Sequence, residues 1–327
     1  MPERTVLTEL TQLGVETTPG TVVPANRVFR DLAITPGVKA AISTPELAGQ
    51  KWPTVAIFGK EWSESKFEGA GFESIVYVLS SLLSYADPVR VNPPSGIAWR
   101  WTFRPAQSQP DTIKTYTIEV GSSVRAAQVA YGLVTGATIS VNRNAVEVSG
   151  SLLGQRIADG ITMTANPAEV PAVPFVPGKF DLFIDSTAGA LGTTKMLRAF
   201  SIEFSVSDRY SPVWSVNSAL SSFAAHVETR PAGTLKLRLE ADAQGRSLLD
   251  VMRNGTKRFI RLLGTGPIIE GTTAYSLQID MCGLVVDAPA QDEEDSVVVD
   301  GWTLTPAFDA GWGKALEIQV VNTRSAL

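Results

Sequence analysis

Alternation of apolar and polar positions dominates the chain. In the first half it runs through Thr115-Tyr-Thr-Ile-Glu-Val, Ala137-Thr-Ile-Ser-Val and Ala145-Val-Glu-Val-Ser. In the second it runs through Phe200-Ser-Ile-Glu-Phe-Ser-Val-Ser, Thr234-Leu-Lys-Leu-Arg-Leu-Glu and Ala315-Leu-Glu-Ile-Gln-Val-Val. A period of two puts apolar side chains on one face, so these segments predict half-buried strands of antiparallel sheets. Helical spacing occurs in two places. Phe72, Ile75, Val76, Leu79, Leu82 and Leu83 form one stripe, and Leu248, Leu249 and Met252 form another between Asp242 and Asn254. Asp242 fits an N-cap and Asn254-Gly255 a C-terminal stop. The expected class is mainly β.

Between the halves, Asn166–Pro177 carries Pro167, Pro171, Pro174 and Pro177, which predicts an extended linker over 166–178. Short matches flank it. Tyr116-Thr-Ile-Glu-Val resembles Tyr275-Ser-Leu-Gln-Ile, Gly132-Leu-Val recurs as Gly283-Leu-Val, and Val148-Ser-Gly recurs as Val299-Asp-Gly. One helix precedes the Tyr strand in each half. These matches predict a duplication: an N-terminal arm over 1–30, a first β domain over 31–165, the linker, and a second β domain over 179–327. Thr17-Thr-Pro-Gly-Thr-Val-Val-Pro, within 11–30, has too little apolar content to fold alone, so the arm is expected to order on assembly.

With 327 residues, 44% hydrophobic, the chain has ample material for a core. Its net charge of −5 argues against gripping phosphates, which takes an excess of Lys and Arg. A single cysteine, Cys282, excludes an internal disulfide and a cysteine zinc site. The N-terminus lacks a basic start followed by an apolar run, and Ser74–Ala86 is too short to span a bilayer. Synthesis in the cytosol without a membrane anchor is the expectation.

Catalytic constellations are scarce. His226 is the single histidine and has no nucleophile in a recognisable setting. Gly150-Ser151 lies in a strand-like run, not at the sharp turn a nucleophile elbow needs. Gly264-Thr-Gly266-Pro267 reads as a turn, since no helix opens after it and proline removes an amide. Asp292-Glu-Glu-Asp295 lacks the glycine-punctuated spacing of a calcium loop and reads as a solvated hairpin tip. Trp99-Arg-Trp-Thr-Phe-Arg104 reads as a strand with arginine stems packed on aromatics rather than a base-stacking platform. The sequence therefore nominates no catalytic, cofactor-binding or metal residue, no cofactor, and no enzyme.

Gly14-Val-Glu-Thr-Thr-Pro-Gly-Thr-Val-Val-Pro-Ala-Asn-Arg resembles the N-terminal signature of the major tail tube proteins of long-tailed bacteriophages, in which a Gly-x-Glu-x-x-x-Gly-Thr run leads into a strand. Tyr116–Gly121, Gly132–Gly150 and Arg258-Phe-Ile-Arg-Leu fit the same family, and the resemblance runs from about residue 10 to 322. It implies tube-type domains, each of packed antiparallel sheets with a flanking helix, joined in rings whose inner strands close a β-barrel around a lumen. It implies a structural virion protein of the tail, assembled in the host cytoplasm and stacked as the conduit for the genome. The implied partners are copies of itself, a tape measure protein, and tail terminator and tip proteins, with DNA passing unbound. With two such domains per chain, trimeric pseudo-hexameric rings are expected over hexameric ones. The alternative is a virion decoration or adhesin β protein. Because each fixed cation would drag on passing phosphate, the lumen should be neutral or acidic. A reconstruction of the assembled tube checks this, and a lining mostly of Lys and Arg contradicts it.

Overall fold

In the computed structural model, which describes residues 5–217, 220–288 and 291–327, the alternating segments are strands close to where the pattern puts them. They include Tyr116–Gly121, Ala126–Asn142, Val146–Gly154, Ala199–Ser207, Ala232–Glu240 and Leu316–Asn322. Two α-helices accompany them, α1 (Ile75–Leu82) and α2 (Ala243–Asn254). The carboxylate of Asp242 accepts the Gly245 amide at 2.8 Å, and Gly255 ends α2 at φ +60°. Helix α1 is buried on every side, against the 126–142 strand, so its stripe understates its burial.

The 126–142 strand joins two sheets and both halves of the chain. Its first residues pair with Tyr116–Gly121 and with Ile157–Ile161. Beyond Gly132 it pairs with Val146–Gly154, and over 137–142 with Ala199–Ser207 from the second half. From there the sheet continues through Ala232–Glu240, Val297–Pro306, Thr273–Asp287 and Lys257–Glu270. Leu316–Asn322 pairs with the 273–287 strand on one side and with Trp99–Phe103 of the first half on the other. Among the described residues, twenty strands connect in this way, and no pairing brings the system round into a barrel.

The expectation of duplicated tube-type domains around a β-barrel is therefore corrected. Duplicated domains would complete their sheets within each half, whereas here 126–142 pairs with 199–207 and 99–103 with 316–322. The repeated landmarks also occupy different positions. Tyr116 and Gly132 lie on separate, neighbouring strands, but Tyr275 and Gly283 lie on the single Thr273–Asp287 strand. The triplet matches are the shared texture of alternating strands. One hydrophobic core runs through both halves, with Leu13, Phe67 and Ile139 in the same cluster as Phe204, Leu237 and Ile318.

Of the 1–30 segment expected as an arm, residues 1–4 lie outside the described residues. Leu10–Val15 is an internal strand, paired with Arg27–Phe29 and with Tyr116–Gly121. The proline-rich 166–178 segment lies along the body: Ala168–Glu169 pairs in parallel with the 27–29 strand, and the Phe175 ring meets Phe72 at 4.5 Å. Proline there blocks a central strand but not an edge contact or burial of Phe175.

Because strands from the two halves pair directly, residues 1–165 and 179–327 expressed separately should fail to unfold cooperatively, and co-expression should recover structure. Circular dichroism melts of the fragments check this. Two independent sharp transitions would restore the two-domain reading.

Candidate functional site and assembly surfaces

Residues 14–21 fold around one carboxylate. Glu16, 5% exposed, follows the Leu10–Val15 strand and points inward. Its Oε2 accepts the Gly20 amide at 2.8 Å and the Thr115 hydroxyl at 2.7 Å. Its Oε1 accepts the Thr117 hydroxyl at 3.0 Å and the Tyr131 amide at 2.9 Å. Gly20 takes φ +82°, a conformation that costs other residues strain. A Cβ on Gly14 would come within 2.6 Å of the Pro24 carbonyl oxygen, so the close return of the loop requires glycine there too. The Gly-x-Glu-x-x-x-Gly pattern is thus a structural device: a turn that delivers donors to a buried acceptor. Four donors to one carboxylate offset the cost of desolvating it.

Tyr131 stands where the 126–142 strand leaves one sheet for the other and has φ +59°. Its hydroxyl shares a 3.0 Å hydrogen bond with His226 Nδ1. The His226 ring also packs edge-on against Tyr210, and burial pulls its pKa below the ordinary value. His226 thus ties the Tyr210–Val213 and Ala225–Glu228 hairpin to the body through the Tyr131 hydroxyl. Beside it Arg209, 2% exposed, pairs with Asp111 and Glu228. The Arg209 guanidinium also donates to the Leu82 and Leu83 carbonyls at 3.0 Å each. A buried cation there satisfies orphan carbonyls at the C-terminus of α1 and the negative end of its dipole. No local pattern marks Arg209, because the two carbonyls it caps lie 126 and 127 residues away and Asp111 98.

Other residues marked in the sequence lie apart. Cys282 is buried in the 273–287 strand, and burial pushes its thiol up to about 11. Gly264–Pro267 lies inside the Lys257–Glu270 strand, at a register shift between Thr265 and Ile268 rather than in a turn. Trp99–Phe103 is a strand whose Trp101 and Phe103 rings stack with an interplanar angle of 6°, while Arg90 covers Trp99. Asp292–Glu294 pairs with Val297–Val299, making the acidic run a hairpin tip. Among the described residues no cluster of three or more His, Cys, Asp or Glu is placed to hold a metal.

Two surfaces were not anticipated. The first is a hairpin of Val38–Ser43 and Ile57–Glu68. Only Ser63–Glu68 pairs with the Val146–Gly154 strand, so residues 57–62 run about 20 Å past its end. Val38, Ile42, Trp52, Ile57 and Phe58 are all more than half exposed there. At its base Trp62 packs edge-on against Trp214 at 5.5 Å, with the Lys60 ammonium 4.3 Å above the Trp214 ring. Two short, largely apolar runs, Val38-Lys-Ala-Ala-Ile and Val55-Ala-Ile-Phe, flanking a turn-rich stretch were the available signal. The second surface is a cleft of about 1150 Å³ at the strand ends near Pro105, Pro231 and Pro306.

Compared with protein-family models and with curated proteins, the chain matches none.

Replacing Glu16 with alanine strands four donors in the interior. At about 1–3 kcal/mol for an unsatisfied buried group, partly relieved by water, the loss should be about 3 kcal/mol. Urea denaturation measures it. A midpoint unchanged from wild type would mean that the carboxylate is dispensable.

Proposed function

We propose that the chain is a self-assembling structural subunit, with the role its resemblance implies: the building block of a bacteriophage tail tube. The observation that carries this reading is the projecting hairpin. Val38, Ile42, Ile57 and Phe58 stand exposed on its two strands and Trp52 on the loop between them, and among the described residues the outer backbone edge of 57–62 is met only at Glu61, whose amide donates to the Ser221 carbonyl. Monomers seldom leave an apolar patch and a free sheet edge together, because both invite another chain. A neighbouring copy would cover both.

Burial of those side chains contributes about 1.5–3 kcal/mol each before the costs of association. That gross gain is large enough to overcome repulsion between copies carrying a net charge of −5. In this reading copies join into stacked rings. A tape measure protein and terminator and tip proteins set the length and ends, and DNA passes without specific binding. The acidic balance favours passage over retention.

Negative-stain microscopy of the concentrated protein should show striated tubes of constant width. Replacing Ile42, Trp52, Ile57 and Phe58 together with lysine should leave a folded monomer that forms none. Wild-type protein that stays monomeric at every concentration, or a folded lysine variant that polymerises equally well, would overturn the reading.

A further inference from the structure

The Val297–Pro306 strand carries a different surface at each end. At its start, Asp292–Glu294 turns back through Asp295 and Ser296, which take φ +50° and +62°. Both central residues in the left-handed region make a tight two-residue hairpin. Arg238 reaches Asp292 at 2.9 Å and Glu294 at 3.3 Å. Glu293 and Asp295 have no ion-pair partner among the described residues, and Val298 beside them is 52% exposed. The tip is thus a narrow acidic prong with an apolar flank.

At the strand's other end, Thr303–Pro306 borders the cleft of about 1150 Å³. Three cations line it, Arg209, Arg230 and Lys314, against one carboxylate, Glu228. Arg209 and Lys314 are held by acids of their own chain, whereas Arg230 is exposed with no ion pair among the described residues. Pro231 and Phe308 supply apolar wall.

We propose that the acidic Asp292–Ser296 tip of one copy docks in the Arg230-bearing cleft of the next, joining copies head to tail along the strand direction. The occupant is a second copy of this chain for two reasons. The charges and apolar flanks match. The tip also cannot reach its own cleft, since the ten-residue strand between them holds the two ends about 30 Å apart. Such a contact uses different patches on the two partners, so it does not close on itself as a twofold pair does. It propagates, with a repeat set by the length of the body along this strand. The contact rests on the self-assembly proposed above and gives it a direction. It leaves the apolar hairpin for other neighbours. Being largely electrostatic at the rim, it weakens as salt shortens the Debye length to about 3 Å at 1 M.

The test mixes two full-length variants, Glu293→Cys and Arg230→Cys, under mild oxidation. Cys282 is buried and stays out of the reaction. Both new thiols are on exposed positions, and a disulfide needs Cα atoms within about 7 Å. The mixture should give a cross-linked dimer and neither variant alone should. Cross-linking within one variant, or none in the mixture, would overturn the contact. A charge exchange provides a second reading. Glu293→Lys with Asp295→Lys, or Arg230→Glu alone, should cut head-to-tail assembly at least tenfold by sedimentation, and all three changes in one chain should restore it. No loss from either, or a combined variant worse than both, would overturn the contact. Imaging the same samples separates the two proposals. Striated tubes without the cross-link sink this contact and leave the tube reading standing. The cross-link in open chains without tubes does the reverse.

Discussion

The carboxylate of Glu16 sits where three parts of the molecule must agree. One oxygen takes the Gly20 amide and the Thr115 hydroxyl, and the other takes the Thr117 hydroxyl and the Tyr131 amide. Those donors belong to the 16–25 loop, to the entry of the 116–121 strand, and to the point where the 126–142 strand changes sheets. A strand that crosses between sheets interrupts its ladder, and an amide freed there needs another acceptor. Glu16 supplies it, and so holds Tyr131 in a backbone conformation that a bulky residue seldom takes.

That crossing sets the arrangement of both halves. From Leu133 onward the same strand is the frame for Val146–Gly154 on one side and Ala199–Ser207 on the other. The 146–154 strand carries the projecting hairpin, and the 199–207 strand leads through Ala232–Glu240 to the Val297–Pro306 strand with its acidic tip and cleft. The surfaces proposed for assembly therefore hang on one continuous sheet.

Local chemistry was legible where local forces decide. Alternation located the principal strands, and Asp242 with Gly255 marked the ends of α2 because capping depends on neighbours three or four residues away. Pairing partners were not legible. Period two says which face a side chain takes but not which strand lies beside it, so Gly-Leu-Val and Val-x-Gly matches suggested two domains where one sheet runs through. The 116–121 strand shows a related failure. Thr117 and Glu119 alternate as a solvent face should, yet both are buried, because the loop carrying Val23 and the segment carrying Thr164 cover that face. Thr117 accepts the Val23 amide at 3.1 Å, and Glu119 accepts the Thr164 amide at 2.7 Å. The same coverage explains why Thr17–Pro24, poor in apolar residues, is ordered by hydrogen bonds. Glu16 stood within the motif that carried the family resemblance, but its role needed partners from 99 to 115 residues away.

The most direct test of this account is native-state hydrogen exchange at two amides, Gly20 and Tyr131. Neither has a strand partner to protect it, and each donates to Glu16. If the carboxylate anchors the crossing, both should exchange only through global unfolding, with protection equal to that of the central 137–141 amides. In Glu16→Ala both should exchange many times faster than the 137–141 amides of the same variant, which report only the loss of global stability. Exchange at loop rates in the wild-type protein would contradict the account, because the loop and the crossing strand would then open without disturbing the rest.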